Sequence, residues 1–421
     1  MNTKKTRIKQ LLALCFLFAG ITAFAQFKVV GYLPTWSGLY PGNVATIDLD
    51  KLTHLNIAFA NPNTAGTLIP SSGTNANVST VVQTGHAHNL KVLMSIGGGG
   101  ASGTNYHNLI SSNIPAFVNS IVNYVQTYNL DGIDVDIEGN ILDGSTLTAS
   151  QYQNFVSQLG TALHANGKLM TSALASWFGN YVTNTAAAQF DFINAMSYDA
   201  TGPWAPQNPG QHSPYSMAVN DFQYWNGTKG VAADKLTVGV PFYGYGFGTY
   251  ANQGISFCNI VNTYPGSQNN DQVGSGGNAI YYNGIPTIQQ KTTYALQNAG
   301  GIMIWELTQD CFTTNSLLTA IDDVITSFTT GVAEQATVMP TVEVWPNPSA
   351  GKLSVKITGS YDSDVVFSFY NLLGEHITQQ TMHKTNDKVY SPDISSLHDG
   401  FYLLEILTAE NKSITRIVLN R

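Results

Sequence analysis

The sequence is poor in charged residues: Asp, Glu, Lys and Arg make up only 10% of its 421 residues. No cluster of basic residues occurs beyond the first ten, which argues against nucleic acid as a binding partner. The sequence also lacks a glycine-rich phosphate motif and a Ser-His-Asp constellation in a supporting context, so nothing calls for a cofactor. Apolar residues reach 43%, enough for a large core beneath a mostly uncharged surface. This composition favours a secreted protein that faces neutral polymers.

Long apolar runs are confined to the N-terminus, where four basic residues precede an apolar stretch over 11–24 that closes on Ala23-Phe24-Ala25. This pattern predicts a signal peptide over 1–25, and an uncleaved anchor is the alternative. Removing it leaves 14 basic and 26 acidic residues, a net charge of −12, and no membrane span in the mature chain. Cysteine is scarce too: only Cys258 and Cys311 would remain, and in an exported protein they form a possible disulfide.

Short apolar runs alternate with helical patterns from residue 27 to about residue 328. The candidate strands are 27–33, 52–60, 90–96, 132–138, 168–174, 190–198, 235–242 and 301–306. Eight such units predict an α/β fold, a closed (β/α)8 TIM barrel over 26–328, with its active site at the carboxyl ends of the strands. We interpret the Asn- and Gly-rich stretch after residue 246 as long loops plus one helix near 288–298.

The pattern changes after residue 328. Residues 329–340 are mostly small and polar and are interpreted as a linker. From residue 341 to 421 only strand-like runs appear, at 353–357, 365–370, 401–407 and 414–419. This predicts a second domain, a small all-β sandwich.

The most informative stretch reads L-DGIDVDIE-G over 130–139. On a strand, its alternation would align Asp134, Asp136 and Glu138 in one column, with β-branched residues on the opposite face. Neighbouring carboxylates repel one another, so stability alone does not explain the column. A buried carboxyl among like charges has a raised pKa and can donate a proton, which points to glycoside hydrolysis with Glu138 as general acid.

This stretch admits two other interpretations, a calcium loop and a solvated edge strand. A calcium loop of the EF-hand type would need Glu at its twelfth position, where Ser145 stands. A solvated edge strand conflicts with the apolar residues on the opposite face. Elsewhere, His86-x-His88 resembles a metal pair, but on a helix the two side chains diverge and no third ligand is evident. We therefore expect no metal site.

The chain resembles glycoside hydrolase family 18, the chitinases and their relatives. The resemblance rests on D-x-x-D-x-D-x-E at 131–138, S-x-G-G at 95–98, M-x-Y-D at 196–199 and the Trp305-Glu306 pair. It implies retaining, substrate-assisted hydrolysis of β-1,4-linked N-acetylglucosamine polymers such as chitin. An endo-β-N-acetylglucosaminidase acting on N-glycan cores and a non-catalytic chitin- or glycan-binding protein are the alternatives.

The resemblance also implies roles for individual residues. Glu138 would be the acid and later the base, Asp136 would stabilise the acetamido group, Asp134 would be its partner, and Tyr198 would donate to the acetamido carbonyl. Trp305 would form the floor under the sugar. The remaining residues implied around the same subsite are Tyr32, Ser95, Met196, Asp199 and Tyr243.

The sequence departs from the family's pattern at three places. Gly99 stands where many relatives have Trp, and Tyr245 where many have Arg. The segment between the seventh and eighth strands looks too short for the α+β insertion that deepens the cleft in exo-acting relatives. We therefore expect a shallower groove and endo action. Trp36, Trp177 and Trp204 follow strands one, five and six and are candidate sugar platforms.

The C-terminal domain admits two interpretations. In a carbohydrate-binding module, Trp345, Tyr390, Phe401 or Tyr402 would be platforms. The favoured interpretation is a sorting domain: W-P-N-P-S-x-G at 345–351 and L-x-D-G-F-Y at 397–402 resemble the type IX secretion C-terminal sorting domain. That resemblance implies a secreted or cell-surface protein of a Gram-negative bacterium, with the outer-membrane secretion machinery as partner and these aromatics in the core.

Overall fold

The structure is a computed structural model that describes residues 27–139, 141–334, 342–357, 363–371, 376–385, 387–408, 412–419 and 421. The predicted signal peptide lies outside these residues. Eight parallel strands close into a barrel in the order β1-β8-β7-β6-β5-β4-β3-β2. The strands are β1 Lys28–Pro34, β2 His54–Ala58, β3 Lys91–Gly97, β4 Gly132–Asp136, β5 Leu169–Leu174, β6 Phe192–Ala195, β7 Leu236–Pro241 and β8 Gly301–Trp305. The predicted TIM barrel is confirmed.

Helices cover the outside of the barrel because each presents an apolar face to the strands. On Ala149–His164, for example, Tyr152, Phe155 and Leu159 are all buried. The α-helices are α1 Asn75–Ala87, α2 Gly103–Ser112, α3 Ile114–Thr127, α4 Ala149–His164, α5 Asn184–Ala187, α6 Tyr215–Gln223, α7 Phe257–Thr263, α8 Ile285–Asn298 and α9 Leu317–Glu334. Among the described residues, no helix is long and apolar enough to cross a membrane.

The connection between β7 and β8 is not made of loops. It contains a four-stranded antiparallel sheet and helix α7, here called the insertion. Its strands run in the order Gly254–Ser256, Tyr243–Gly246, Asn278–Tyr281, Gln272–Ser275. The predictions of long loops and of a segment too short for an α+β insertion were therefore wrong. Strands of three or four residues rich in Gly and Asn carry almost no periodic signal.

A disulfide joins Cys258 on α7 to Cys311, which follows β8. It ties the insertion to the barrel across 53 residues of sequence. Cys311 is buried, with 1% of its surface exposed.

The chain divides into two compact units between Ile325 and Thr326. Helix α9 continues to Glu334, through the first six residues of the predicted linker, because small residues such as those over 329–334 do not prevent a helix. Residues 335–341 lie outside the described part.

The second unit contains two antiparallel sheets that share one apolar core. Its strands are β9 Val342–Trp345, β10 Ser354–Ile357, β11 Val365–Tyr370, β12 His376–Met382, β13 Val389–Tyr390, β14 Gly400–Leu407 and β15 Lys412–Leu419. Three of them were not predicted: β9, β12 and β13. Of the four aromatics discussed above, only Tyr390 is fully buried, whereas 42% of Trp345 and 54% of Phe401 are exposed. The expectation that all four lie in the core was wrong.

Candidate active site

Strand β4 builds the acidic column that its alternation predicts. Ile133, Val135 and Ile137 are fully buried in the apolar core of the barrel unit. Asp134 and Asp136 alternate with them and therefore face the barrel interior. Glu138 lies two residues beyond the last strand residue, at the carboxyl end where (β/α)8 enzymes place their sites.

Asp134 is the deepest member of the column and is surrounded by donors. Tyr32 Oη, Ser95 Oγ and Thr171 Oγ1 donate to its carboxylate at 2.7, 2.8 and 2.6 Å. Asn194 Nδ2 adds a longer bond at 3.4 Å. Burial raises the pKa of Asp134, and these hydrogen bonds oppose that rise by stabilising the charged form.

Asp136 has no such support. Burial, and then the charges of Glu138 and Asp134, raise the pKa of Asp136 well above its usual value. Its Oδ1 atom is buried and has no hydrogen-bond partner among the described residues. A buried acceptor without a donor costs about 1–3 kcal/mol, so stability alone does not explain this oxygen.

The S-x-G-G motif shapes the backbone beside this carboxylate. Gly97 has a φ of 113°, and a Cβ atom there would lie 2.0 Å from the carbonyl oxygen of Asp136. The N–H of Gly98 donates to that same oxygen at 2.7 Å. Only glycine fits at position 97, since both the conformation and the close approach exclude a side chain.

Glu138 keeps part of its protonated form near neutral pH. Burial, followed by the charge of Asp199, raises the pKa of Glu138 to about 7, although a hydrogen bond from the Gly99 backbone opposes this rise. A carboxyl that titrates near 7 can donate a proton and take one back, as general acid–base catalysis requires.

Tyr198 and Asp199 follow β6 and face the column. Burial, and then the charge of Asp136, raise the pKa of Tyr198 well above 10, so its hydroxyl remains a donor at neutral pH. Asp199 adopts a left-handed backbone with φ of 66° and accepts hydrogen bonds from Tyr243 Oη at 2.6 Å and Tyr245 Oη at 3.1 Å. Tyr245 thus supplies a neutral donor to this carboxylate.

Two rows of aromatic rings lead away from the column. In the first row, Trp305 stacks on Phe59 with centroids 5.8 Å apart, and Phe59 lies 6.1 Å from Trp36. The second row runs from Tyr198 through Tyr243 and Tyr245 to Trp204, with centroid distances of 6.3, 5.4 and 5.3 Å. Both rows end in exposed tryptophans, Trp36 at 56% and Trp204 at 61%. Because Phe59 follows β2 and Trp204 follows β6, four strands apart in a ring of eight, the rows reach opposite sides of the barrel mouth.

Asp131, the first acid of the motif, is not part of the column. It precedes β4, at the opposite end of the barrel, and accepts hydrogen bonds from Val92 N at 2.9 Å, His86 Nε2 at 2.8 Å and Lys91 Nζ at 3.1 Å. Burial raises the pKa of Asp131, but these bonds outweigh it and hold the pKa below its usual value. His88 contacts Asp50 instead, at 2.7 Å. Within the described ranges, no group of three or more His, Cys, Asp or Glu residues is placed to hold a metal ion.

The structure brings together most of the residues singled out from the sequence. Tyr32 and Ser95 contact Asp134, Tyr243 contacts Asp199, Trp305 packs edge-on against Tyr32, and Met196 is buried directly after β6. Sequence reasoning missed three residues at the site, Phe59, Thr171 and Asn194, and it named Tyr245 only as a departure from the family's pattern. The only available signal was a polar residue inside an otherwise apolar strand, for Thr171 and Asn194.

Comparison with known proteins identifies the catalytic unit. Residues 28–310 match the Glycosyl hydrolases family 18, which is well over half of the chain. The chain belongs to that family. Residues 343–420 match the Secretion system C-terminal sorting domain, so this family 18 protein carries a tail that marks it as secreted or cell-surface.

Solved structures and curated proteins agree with this assignment. The family 18 chitinase ChiB from the chitin utilization locus of Flavobacterium johnsoniae is 38% identical, with a TM-score of 0.65, over 72% of this chain and 96% of that one. A chitinase from Bacteroides thetaiotaomicron is 29% identical, with a TM-score of 0.62, over 71% and 96%. Chitinase A1 of Niallia circulans is 26% identical over 68% of this chain, and the match spans only 57% of that protein. The chain spans a little over half the length of the first curated relatives.

The charge of Asp199 predicts a measurable pH effect. Glu138 acts as an acid only while protonated, so activity should fall as pH rises through its pKa of about 7. Replacing Asp199 with Asn removes the negative charge that raises this pKa, so the alkaline limb of the kcat/KM profile should move to lower pH. The overall kcat/KM should also fall, by about tenfold or more, because Asp199 lines the site.

The matched control is Asp50→Asn, which removes the same charge at an exposed position that contacts only His88. The pH profiles of kcat/KM for the wild type and the two variants are measured on a soluble N-acetylglucosamine oligomer. An alkaline limb that stays at the wild-type pH in Asp199→Asn would contradict this coupling.

Proposed function

We propose that this family 18 protein hydrolyses β-1,4-linked N-acetylglucosamine polymers such as chitin, with retention of configuration. The observation that carries the proposal is the pairing of a carboxyl of pKa about 7, Glu138, with a buried and unpartnered acceptor, Asp136 Oδ1. The first can protonate a leaving oxygen, and the second can accept the N–H of an acetamido group. The three relatives described above are chitinases, which supports the same substrate class.

In the first step, the proton of Glu138 goes to the glycosidic oxygen as the C1–O bond breaks. The carbonyl oxygen of the substrate's own 2-acetamido group forms the new bond to C1, giving a cyclic oxazolinium ion and a free leaving sugar. Asp136 accepts the acetamido N–H and balances the positive charge. Tyr198, kept protonated by its burial, donates to the acetamido oxygen and orients it.

In the second step, Glu138, now a carboxylate, takes a proton from an incoming water molecule. The water oxygen bonds to C1 on the face that the leaving group occupied, while the bond from C1 to the acetamido oxygen breaks and the acetamido group is restored, so configuration is retained. Asp134 shares the buried negative charge with Asp136. Because four donors surround Asp134, it ionises more easily than Asp136. The scheme requires no cofactor.

We also propose endo action. Exposed aromatic rings on both sides of Glu138 suit a polymer that extends in both directions from the cleaved bond. Trp177, which follows β5 and is 55% exposed, is a third candidate platform. A short connection between β7 and β8 would also have favoured endo action, but the structure has an insertion there. The proposal of endo action therefore rests on these aromatics alone.

Two alternative functions would use the same active site. An endo-β-N-acetylglucosaminidase would use the same chemistry on N-glycan cores, and a glycan-binding protein would bind without cutting. Incubation with chitin oligomers and with a glycoprotein separates the three functions.

For the sorting tail, we propose the outer-membrane secretion machinery as partner.

The first test of the proposal is Glu138→Gln. Gln keeps the size of the side chain and cannot supply the proton, so kcat on a chitin hexamer should fall by at least about 100-fold. Hexamer affinity, measured by calorimetry, should stay within a few fold of the wild type. The matched control is Asp143→Asn, which changes a carboxylate in the loop after β4 whose hydrogen bonds within the described residues go to Ser145 and Thr146. Near-wild-type turnover in Glu138→Gln would show that another group is the acid.

The aromatic rows predict an effect on binding. In the Glu138→Gln background, Trp36→Ala and Trp204→Ala should each weaken hexamer affinity by roughly fivefold, about 1 kcal/mol, because each removes a face on which a sugar stacks. Trp345→Ala, at an exposed tryptophan of the second unit, is the control and should leave affinity unchanged. A loss of affinity in Trp345→Ala alone would instead support a carbohydrate-binding second domain.

A further inference from the structure

Helix α8 carries a buried cation that the proposed chemistry does not use. Lys291 is fully buried, and all three of its ammonium hydrogens are accounted for by neutral oxygens. Its Nζ atom donates to Ser213 O at 2.8 Å, Ser213 Oγ at 2.7 Å and Asn283 Oδ1 at 2.8 Å. The charges of Asp271 and Asp221 act on it from a greater distance.

Burying this charge works against the fold. Burial lowers the pKa of Lys291 to about 7, far below the usual value for lysine. The folded state disfavours the charged form, but the ammonium group supplies donors to buried oxygens of Ser213 and Asn283. An apolar side chain of similar length would leave these oxygens without that donor, so the lysine holds Ser213 in place.

The hydrogen bonds of Lys291 lead directly to the site. Ser213 Oγ, which accepts from Lys291, donates to the carbonyl oxygen of Ser197 at 2.6 Å. Ser197 immediately precedes Tyr198 and Asp199. Asn283 Nδ2 donates to Ser213 O at 2.9 Å, so Ser213 is held from two sides.

The segment held in this way needs support. Asp199 has a left-handed backbone, which costs a non-glycine residue about 1 kcal/mol or more. The neighbouring His212 accepts the N–H of Ala200 through its carbonyl oxygen at 3.0 Å, its ring packs against Tyr243 and Tyr245, and its Nδ1 atom lies 3.4 Å from Asp199 Oδ1. Ser213 therefore holds the turn from both sides. It bonds directly to Ser197, before Tyr198 and Asp199, and it is the chain neighbour of His212, which bonds to Ala200 after them.

We infer that Lys291 is a positioning residue, which acts through Ser213 to hold the 196–199 turn so that Tyr198 and Asp199 face the sugar. The inference rests on the proposed function. Lys291 touches no substrate itself. Its contribution to catalysis should appear only through the placement of Tyr198 and Asp199.

The test compares Lys291→Met, Ser213→Ala and the double variant with wild type on a chitin hexamer. Each single variant should lower kcat/KM by about tenfold or more, and the double variant should lose little beyond the larger single loss, because the two residues act in series. The alkaline limb should also move to lower pH, since a displaced Asp199 no longer raises the pKa of Glu138. This limb does not depend on the fraction of folded enzyme, so a merely structural role would not move it.

The matched control is Thr292→Val, the next residue on α8, which is equally buried and bonds only within its own helix. It should keep kcat/KM within about twofold. If Lys291→Met does not fold, Ser213→Ala carries the test. Wild-type kcat/KM and an unmoved limb in folded variants would overturn the inference. A wild type that binds but does not cut the hexamer would overturn the proposed function instead, and hexamer affinity would then measure the effect of Lys291.

Discussion

Burial and mutual repulsion oppose the joint ionisation of three neighbouring carboxyl groups, and the site depends on this constraint. Asp134, Asp136 and Glu138 alternate with apolar residues that the barrel buries completely. The barrel supplies hydroxyl and amide donors at the deep end of the column, around Asp134, and none to Asp136 Oδ1 within the described residues. Negative charge is therefore favoured deep in the barrel, on Asp134, and protons are favoured on the two carboxyl groups nearer the mouth, Asp136 and Glu138.

The surrounding elements serve this distribution of charge. The backbone of β3 can approach β4 closely only because position 97 is glycine. The turn after β6 brings a fourth carboxylate, Asp199, near enough to raise the pKa of Glu138. The insertion supplies Tyr243 and Tyr245, whose hydroxyls keep Asp199 in place without neutralising it. An arginine in place of Tyr245 would compensate that charge, so this departure from the family's pattern bears directly on the acid.

The barrel and the column could be predicted from the sequence because both are periodic. Eight apolar runs marked the strands, and strict alternation over 133–138 placed three acids on one face. Asp131 is an odd number of residues from Asp134, so the same alternation does not place it on the face of the other three acids. In the structure it precedes β4, at the opposite end of the barrel. Closure of the barrel brings Thr171, Asn194 and Phe59 to the site. No local sequence pattern predicts that these residues lie close to the acidic column. The short strands of the insertion and the polar strand His376–Met382 lack the apolar alternation on which strand prediction relies.

The central claim is that the column supplies a proton and charge balance, whereas the substrate supplies the nucleophile. Proton NMR of the first products released from a chitin hexamer tests it most directly, with a fully deacetylated hexamer run in parallel. The account predicts that the β-anomer appears first and mutarotates later, and that the deacetylated hexamer is not cut. An α-anomer as the first product, or equal cleavage of the deacetylated hexamer, would contradict it.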